Sequence, residues 1–184
     1  MPRWTPDGYK PIRRVDVTGL TVYSFNAGQG LDLVAYRSFF FELEGVLVTT
    51  DGTDVNVRIN GNSGSTDYDV AGQIWVNNST FVASSNSGSG AAQIRLTPGE
   101  VGSVNANELG VSGYVQLIHG GSATVEPVVD FDVHYRAAGG VIFYSVGRGV
   151  RKHNVATTSV DFLTSNGVAF EKGEISVYGL RRIA

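Results

Sequence analysis

Residues 129–136 read Val-Asp-Phe-Asp-Val-His-Tyr-Arg, an unbroken alternation of apolar and polar side chains. Successive side chains of an extended chain point to opposite faces, so such a run buries one face and wets the other only as a β-strand. The same two-residue period returns in Val55, Val57 and Ile59 against Asn56, Arg58 and Asn60, and in Ile175, Val177 and Gly179 against Glu174, Ser176 and Tyr178. No helical period survives beyond about one turn, the best case being Ala106–Leu109. Turn formers punctuate the runs, at Asn26–Gly30, Thr49–Asp54, Asn60–Asp67, Pro98–Gly99 and Gly120–Ser122. The expectation is an all-β chain: an antiparallel β-sandwich, jelly-roll-like, with about eight core strands.

Several local expectations follow from the same reading. Val15–Phe25 is one strand bent at Gly19. Tyr36–Val48 is a long strand, Val111–His119 another, and Val141–Val146 a more buried one leading to a basic turn at Gly147–Asn154. Asn77–Ala92, rich in Ser, Asn and Gly, is a surface excursion. Glu171-Lys172-Gly173 turns a tight hairpin whose last strand, Glu174–Leu180, lies inside a sheet and is paired on both sides.

At 184 residues the chain is long enough to bury a core without staples, and it has no cysteine, which removes disulfides and Cys-based zinc sites. Hydrophobic residues make up 42% and charged residues 17%, which excludes a disordered chain. No apolar run reaches the roughly 18–20 residues of a membrane span, and Met1–Asp7 lacks the apolar stretch of a signal peptide. The expectation is synthesis in a cytoplasm without export by a classical signal.

Residues 1–14 differ from the rest. Pro2, Pro6 and Pro11 forbid helix and favour extended backbone, while Trp4 and Tyr9 supply aromatic anchors. Arg3, Lys10, Arg13 and Arg14 against Asp7 give this segment +3; with −3 for the whole chain, residues 15–184 carry −6. We therefore expect two parts: an extended basic arm at 1–14 and a single β-sandwich domain at 15–184. The arm would lie against a different polypeptide, with Trp4 or Tyr9 buried and Arg13 or Arg14 facing acidic groups. The alternative is an arm folded back on its own domain. Arg148, Arg151 and Lys152, beside His153, form a second basic group, read as an exposed turn or a contact with an acidic neighbour.

Catalytic and metal chemistry find little support. His119, His134 and His153 lack ligand spacing, and no cofactor is implied. Asp51, Asp54 and Asn56 do not continue into a calcium loop. No Gly-x-Ser-x-Gly elbow occurs, and Gly28-Gln29-Gly30 is not followed by the residues of a phosphate loop. Asp130 and Asp132 share one strand face, as glycosidase acids might, but more simply as a wet face. Direct nucleic-acid binding needs a larger positive field than an acidic body provides. Tyr23, Tyr36, Trp75 and Tyr114 would make a sugar platform only if brought together on an exposed face.

Read in order, Tyr36-Arg37, Phe41-Glu42-Leu43-Glu44-Gly45, Val55–Ser65 with its Arg-Ile-Asn-Gly block, Gly113–Ile118 and Phe170–Leu180 form a set. The set resembles a broad family of tailed-bacteriophage and prophage structural proteins, of head-decoration, tail and fibre types. The likeness spans roughly residues 34–180, and its most specific part is the closing Gly-x-Ile-x-x-Tyr-Gly at Gly173–Gly179. It implies a non-enzymatic virion component that stabilises the particle by subunit contacts, as a decoration (cement) or tail protein. The implied partners are copies of itself, with a trimer favoured, and other virion proteins such as the major capsid or a tail protein. A second reading is a carbohydrate- or receptor-binding module of a tail fibre, contacting a host surface glycan through loops 60–67 and 77–92. Exposed aromatics beside polar groups favour the second reading, and a basic aromatic arm buried in a neighbour favours the first.

Overall fold

A computed structural model describes residues 8–64, 66–76, 81–82, 88–98, 101, 109–137 and 141–181, with backbone only at 81–82 and 88–89. The strands are β1 (Tyr9–Asp16), β2 (Val22–Asn26), β3 (Tyr36–Val48), β4 (Val55–Ile59), β5 (Tyr68–Val76), β6 (Phe81–Val82) and β7 (Gly88–Ala91), followed by β8 (Ile94–Arg95), β9 (Val111–Ile118), β10 (Val128–Arg136), β11 (Ile142–Arg151), β12 (Ser159–Thr164) and β13 (Phe170–Arg181). The one helical element among the described residues is a 3-10 turn at Ala27–Gln29. The single helical turn expected at Ala106–Leu109 falls outside the described residues except for Leu109, as do Arg3 and Trp4 of the arm and 77–80 and 83–87 of the surface excursion.

Two antiparallel sheets form a sandwich. The larger has nine strands, in the order β1-β13-β3-β9-β10-β11-β5-β6 with β7 also on β5; the smaller has four, β2-β12-β4-β8. Eight of these strands are nested: β1 pairs β13, β2 pairs β12, β3 pairs β9 and β4 pairs β8. β13 also pairs β3, and β12 also pairs β4. First with last, second with next to last, and so inward, is the winding of a jelly roll. The two insertions, β5–β7 and β10–β11, both add to the sheet of β1, β13, β3 and β9. That is why one sheet outgrows the other.

Apolar alternation supplies the core. Phe39, Phe41, Val115, Leu117, Val129, Phe131, Val133, Ile175 and Val177 point inward from the large sheet, against Phe25, Val57, Ile59, Val160 and Phe162 of the small one. Phe25 meets Phe41 edge-on at 5.4 Å and Phe41 tilts onto Phe162 at 5.2 Å. Each such ring removed from water contributes about 1.5–3 kcal/mol. Tyr68, fully buried, ties the sheets together: its hydroxyl accepts the Ile59 N–H at 2.7 Å and lies 3.2 and 3.3 Å from the Ile59 and Asn62 carbonyls.

The structure corrects four local expectations. Val15–Phe25 is two strands in different sheets, because Gly19, at φ 77°, lets the chain cross between layers. Glu171-Lys172-Gly173 is not a hairpin turn but lies inside β13, where the register slips at Phe170/Lys172 and Lys172/Glu174; the chain turns earlier, around Gly167. Gly173 sits at φ 128°, where an added Cβ would fall 2.5 Å from the Val46 Cα. β11 runs on through Arg151, so most of the expected basic turn is strand, and Ile142 and Tyr144 are exposed rather than buried. Finally, the boundary expected after residue 14 falls inside β1. The closing strand does behave as expected, with β1 on one side and β3 on the other.

Candidate functional site

The period of two that buries Val129, Phe131, Val133 and Tyr135 turns Asp130, Asp132 and His134 to the outer face of the large sheet. Cross-strand register decides what they meet there. Asp130 lies opposite Gln116 of β9 and Arg148 of β11, Asp132 opposite Tyr114 and Val146, and His134 opposite Ser112 and Tyr144. One strand further, Trp75 of β5 lies opposite Tyr144, and Gln73 opposite Val146. Four strands thus place their outward residues on one surface.

Trp75 and Tyr144 stand side by side, ring centroids 5.2 Å apart at 45°, and are 37% and 38% exposed. The Tyr144 hydroxyl donates to Asp132 Oδ2 at 2.6 Å, which fixes the ring over the sheet. Arg148 grips Asp130 with two bonds, Nε to Oδ1 at 2.5 Å and Nη2 to Oδ2 at 2.7 Å, a planar fork on a planar carboxylate. Beside these groups, small outward residues, Ala71 and Val146, leave an open cleft of about 650 Å³ walled by Gln73, Tyr114, Asp130 and Arg148. Its base is the facing glycine pair Gly72 and Gly147; a Cβ on Gly147 would lie 2.5 Å from the Phe131 ring packed beneath.

Tyr114 is shared with a second cleft, of about 380 Å³, lined also by Phe40, Glu42, Glu44, Ser112 and His134. It stacks on Phe40 at 5.0 Å. Phe40 in turn contacts Tyr178 and Tyr9, so the outer face carries a small aromatic cluster of its own. Tyr178 donates to Glu42 at 3.0 Å, and Gln116 donates to the Tyr9 hydroxyl at 2.8 Å. A third hollow of about 350 Å³ lies between β1 and β13, with Pro11, Arg13, Arg14, Ser176 and Tyr178 around it.

The Tyr114 and Tyr144 hydroxyls and the Arg148 guanidinium keep their hydrogens at neutral pH. The Asp132 carboxylate accepting its proton, helped by burial, holds the Tyr144 hydroxyl up to about 12. Burial first, and then Asp132 and Asp130, push Tyr114 up. Asp130 raises Arg148 further above its already high value. The face therefore offers phenol, amide and guanidinium donors next to carboxylate acceptors. Asp130 and Asp132 are each committed to a donor, Arg148 and Tyr144 respectively.

The sequence-derived sites scatter. Tyr9, Lys10, Arg13 and Arg14 lie on β1, paired along β13 of the same chain. Arg14 is bonded to Glu174 and lies 3.6 Å from Glu44; Tyr9 also meets Ser38 at 3.0 Å. Lys10 and Arg13 are exposed. In the second basic group Lys152 pairs with Asp69 at 2.8 Å and His153 with Asp67 at 3.2 Å. Arg151 is only 4% exposed, with the Asn62 amide oxygen accepting from its Nη2 at 2.7 Å, so it cannot serve as a surface contact. Of the aromatic set, Tyr23 is buried under the small sheet and Tyr36 packs on Phe39, while Trp75 and Tyr114 do reach the common face. Tyr144, Gln73 and Gln116 were not singled out in the sequence. The available signal was that Tyr144 shares parity with Arg148 along β11.

Among the described residues no three His, Asp or Glu side chains converge as a metal site, and no helix is long and apolar enough to cross a membrane. Compared with known proteins, the chain matches no family model, no curated protein and no solved structure.

Proposed function

We propose that this chain is a non-enzymatic component of a bacteriophage virion whose jelly roll binds carbohydrate on the outer face of its large sheet. The observation that carries the binding role is the half-exposed Trp75–Tyr144 pair, anchored by Asp132 beside the cleft of Gln73, Tyr114, Asp130 and Arg148. A sugar ring has an apolar face of C–H groups and a rim of hydroxyls, each both donor and acceptor. Aromatic faces suit the first, and a mixed set of amide, phenol, guanidinium and carboxylate suits the second. The phage setting rests on the sequence resemblance, and jelly rolls occur in both viral capsid and lectin domains.

The strap-like role for the arm has less support. Its residues 9–14 are occupied within the domain, and β1 carries Pro11, a register shift and the exposed Lys10 and Arg13, devices that blunt an edge against strand addition. Contacts with other copies, in a trimer or otherwise, or with capsid and tail proteins would then use other surfaces.

The test is titration of the protein with envelope oligosaccharides from the host, followed by amide chemical shifts. Shifts should concentrate on β5, β9, β10 and β11, and Trp75→Ala should weaken binding at least tenfold, about 1.4 kcal/mol. Oligosaccharides that shift only the loops at 60–67, or nothing, overturn the assignment.

A further inference from the structure

Resting on the carbohydrate reading, we infer that the face selects saccharides without acidic groups and rejects uronic, sialic and phosphorylated ones. The argument is the charge left over once the face's own bonds are counted. The two clefts that share Tyr114 are lined by Glu42, Glu44 and Asp130, with Asp132 between the tyrosines. Among their described lining residues the one arginine is Arg148, there is no lysine, and the remaining basic group is His134. Arg148 gives both its Nε and an Nη to Asp130, the fork an incoming sugar carboxylate or phosphate would need. Arg136, two residues beyond His134 on the outward side of β10, lines neither cleft, and Arg14 on β1 is held by Glu174 and Glu44. An anionic sugar entering either cleft would meet carboxylates with no arginine fork of the lining left to receive it, whereas a neutral hydroxyl can donate to those same oxygens.

The geometry also favours an extended ligand. The two clefts lie on neighbouring strands of the sheet and share Tyr114 in their linings. A chain of sugars crossing the strands would place successive rings on either side of that phenol. The Gly72–Gly147 pair keeps the base of the first cleft flat enough for such a path.

Like charges a few ångströms apart at a partly wet surface repel by enough to change affinity on the order of tenfold, and salt screens this. The experiment uses the full chain and an array of neutral hexasaccharides printed beside uronic-acid hexasaccharides of the same linkage. The expected result is binding of the neutral set with at least tenfold weaker binding of the acidic set, the gap closing at 1 M NaCl. Glu42→Gln combined with Glu44→Gln should narrow the gap as well; should that variant not fold, the salt series carries the test alone. Acidic hexasaccharides bound as tightly as neutral ones at low salt would overturn the selectivity and leave the carbohydrate reading standing. A preference that ignores salt would overturn the electrostatic origin. No binding of either set would remove both the inference and the reading beneath it.

Discussion

The two faces of the large sheet are built from the same strands and differ by one step of the chain. On β10 the inward set, Val129, Phe131, Val133 and Tyr135, is within 1% of complete burial. The outward set, Asp130, Asp132 and His134, meets Arg148, Tyr144 and Ser112. The inner face is held by apolar area and close packing, so its energetics are collective. The outer face is held by pairwise bonds at the surface, which contribute little to stability and leave side chains fixed in place for a ligand. A sheet can therefore be rigid because of one face and functional because of the other.

The strongest test of this contrast is truncation on both sides. Phe131→Ala removes a ring lodged beneath Gly72 and Gly147 and should cost about 3–5 kcal/mol in denaturant unfolding. Tyr144→Ala, one strand away on the outer face, should cost only about 0.5–1.5 kcal/mol. Equal costs would break the distinction.

A smaller effect is expected where the inner face is polar. Tyr68→Phe leaves the Ile59 N–H without its acceptor between the sheets and should cost about 1–3 kcal/mol, read from the chemical denaturation midpoint. A neutral result would mean that another acceptor reaches that N–H.

Weaker still is the ion pair of the outer face. A double-mutant cycle on Asp130→Ala and Arg148→Ala should give a stability coupling of about 0.2–1 kcal/mol, falling in high salt. A coupling several times larger would mean that the pair is structural rather than part of a ligand face.

The last effect is spectroscopic. The folded Tyr144 hydroxyl is held above its ordinary 10, so its bond to Asp132 contributes stability that is complete below pH 10 and is lost as pH rises through about 12. In tyrosinate absorbance, the component lost in Tyr144→Phe should titrate near pH 12 and move toward 10 in Asp132→Asn. No movement would sever the phenol from the carboxylate.

The inner face was legible in the sequence and the outer one largely was not. Alternation alone identifies Val129–Tyr135 and Ile175–Val177 as core, because burial imposes a period on a single strand. The nested pairing could be expected only as a class, since register depends on which strands meet. Tyr144 illustrates the loss: within Ile142-Phe143-Tyr144 the apolar run hides which residue faces out, and its partners Asp132 and Trp75 lie on strands 12 and 69 residues away, by their numbers. The place of Arg14 was hidden for a similar reason. Proline and charge describe an extended basic segment, but not that Arg14 would find Glu174 at the far end of its own chain.

The pairing of β1 with β13 sets a schedule for making the protein. Tyr9 lies opposite Leu180 and Asp16 opposite Glu174, and β2 waits for β12 in the same way. A ribosome that has delivered β1 to β11 has delivered no partner for either of the first two strands, and β3 still lacks one neighbour. Closing loops of that length is slow, and open strand edges in the interval invite association with other unfinished chains. A nascent copy is thus exposed until β13 emerges, and a truncation that removes only Phe170–Arg181 should send the product into inclusion bodies although most of the core residues remain.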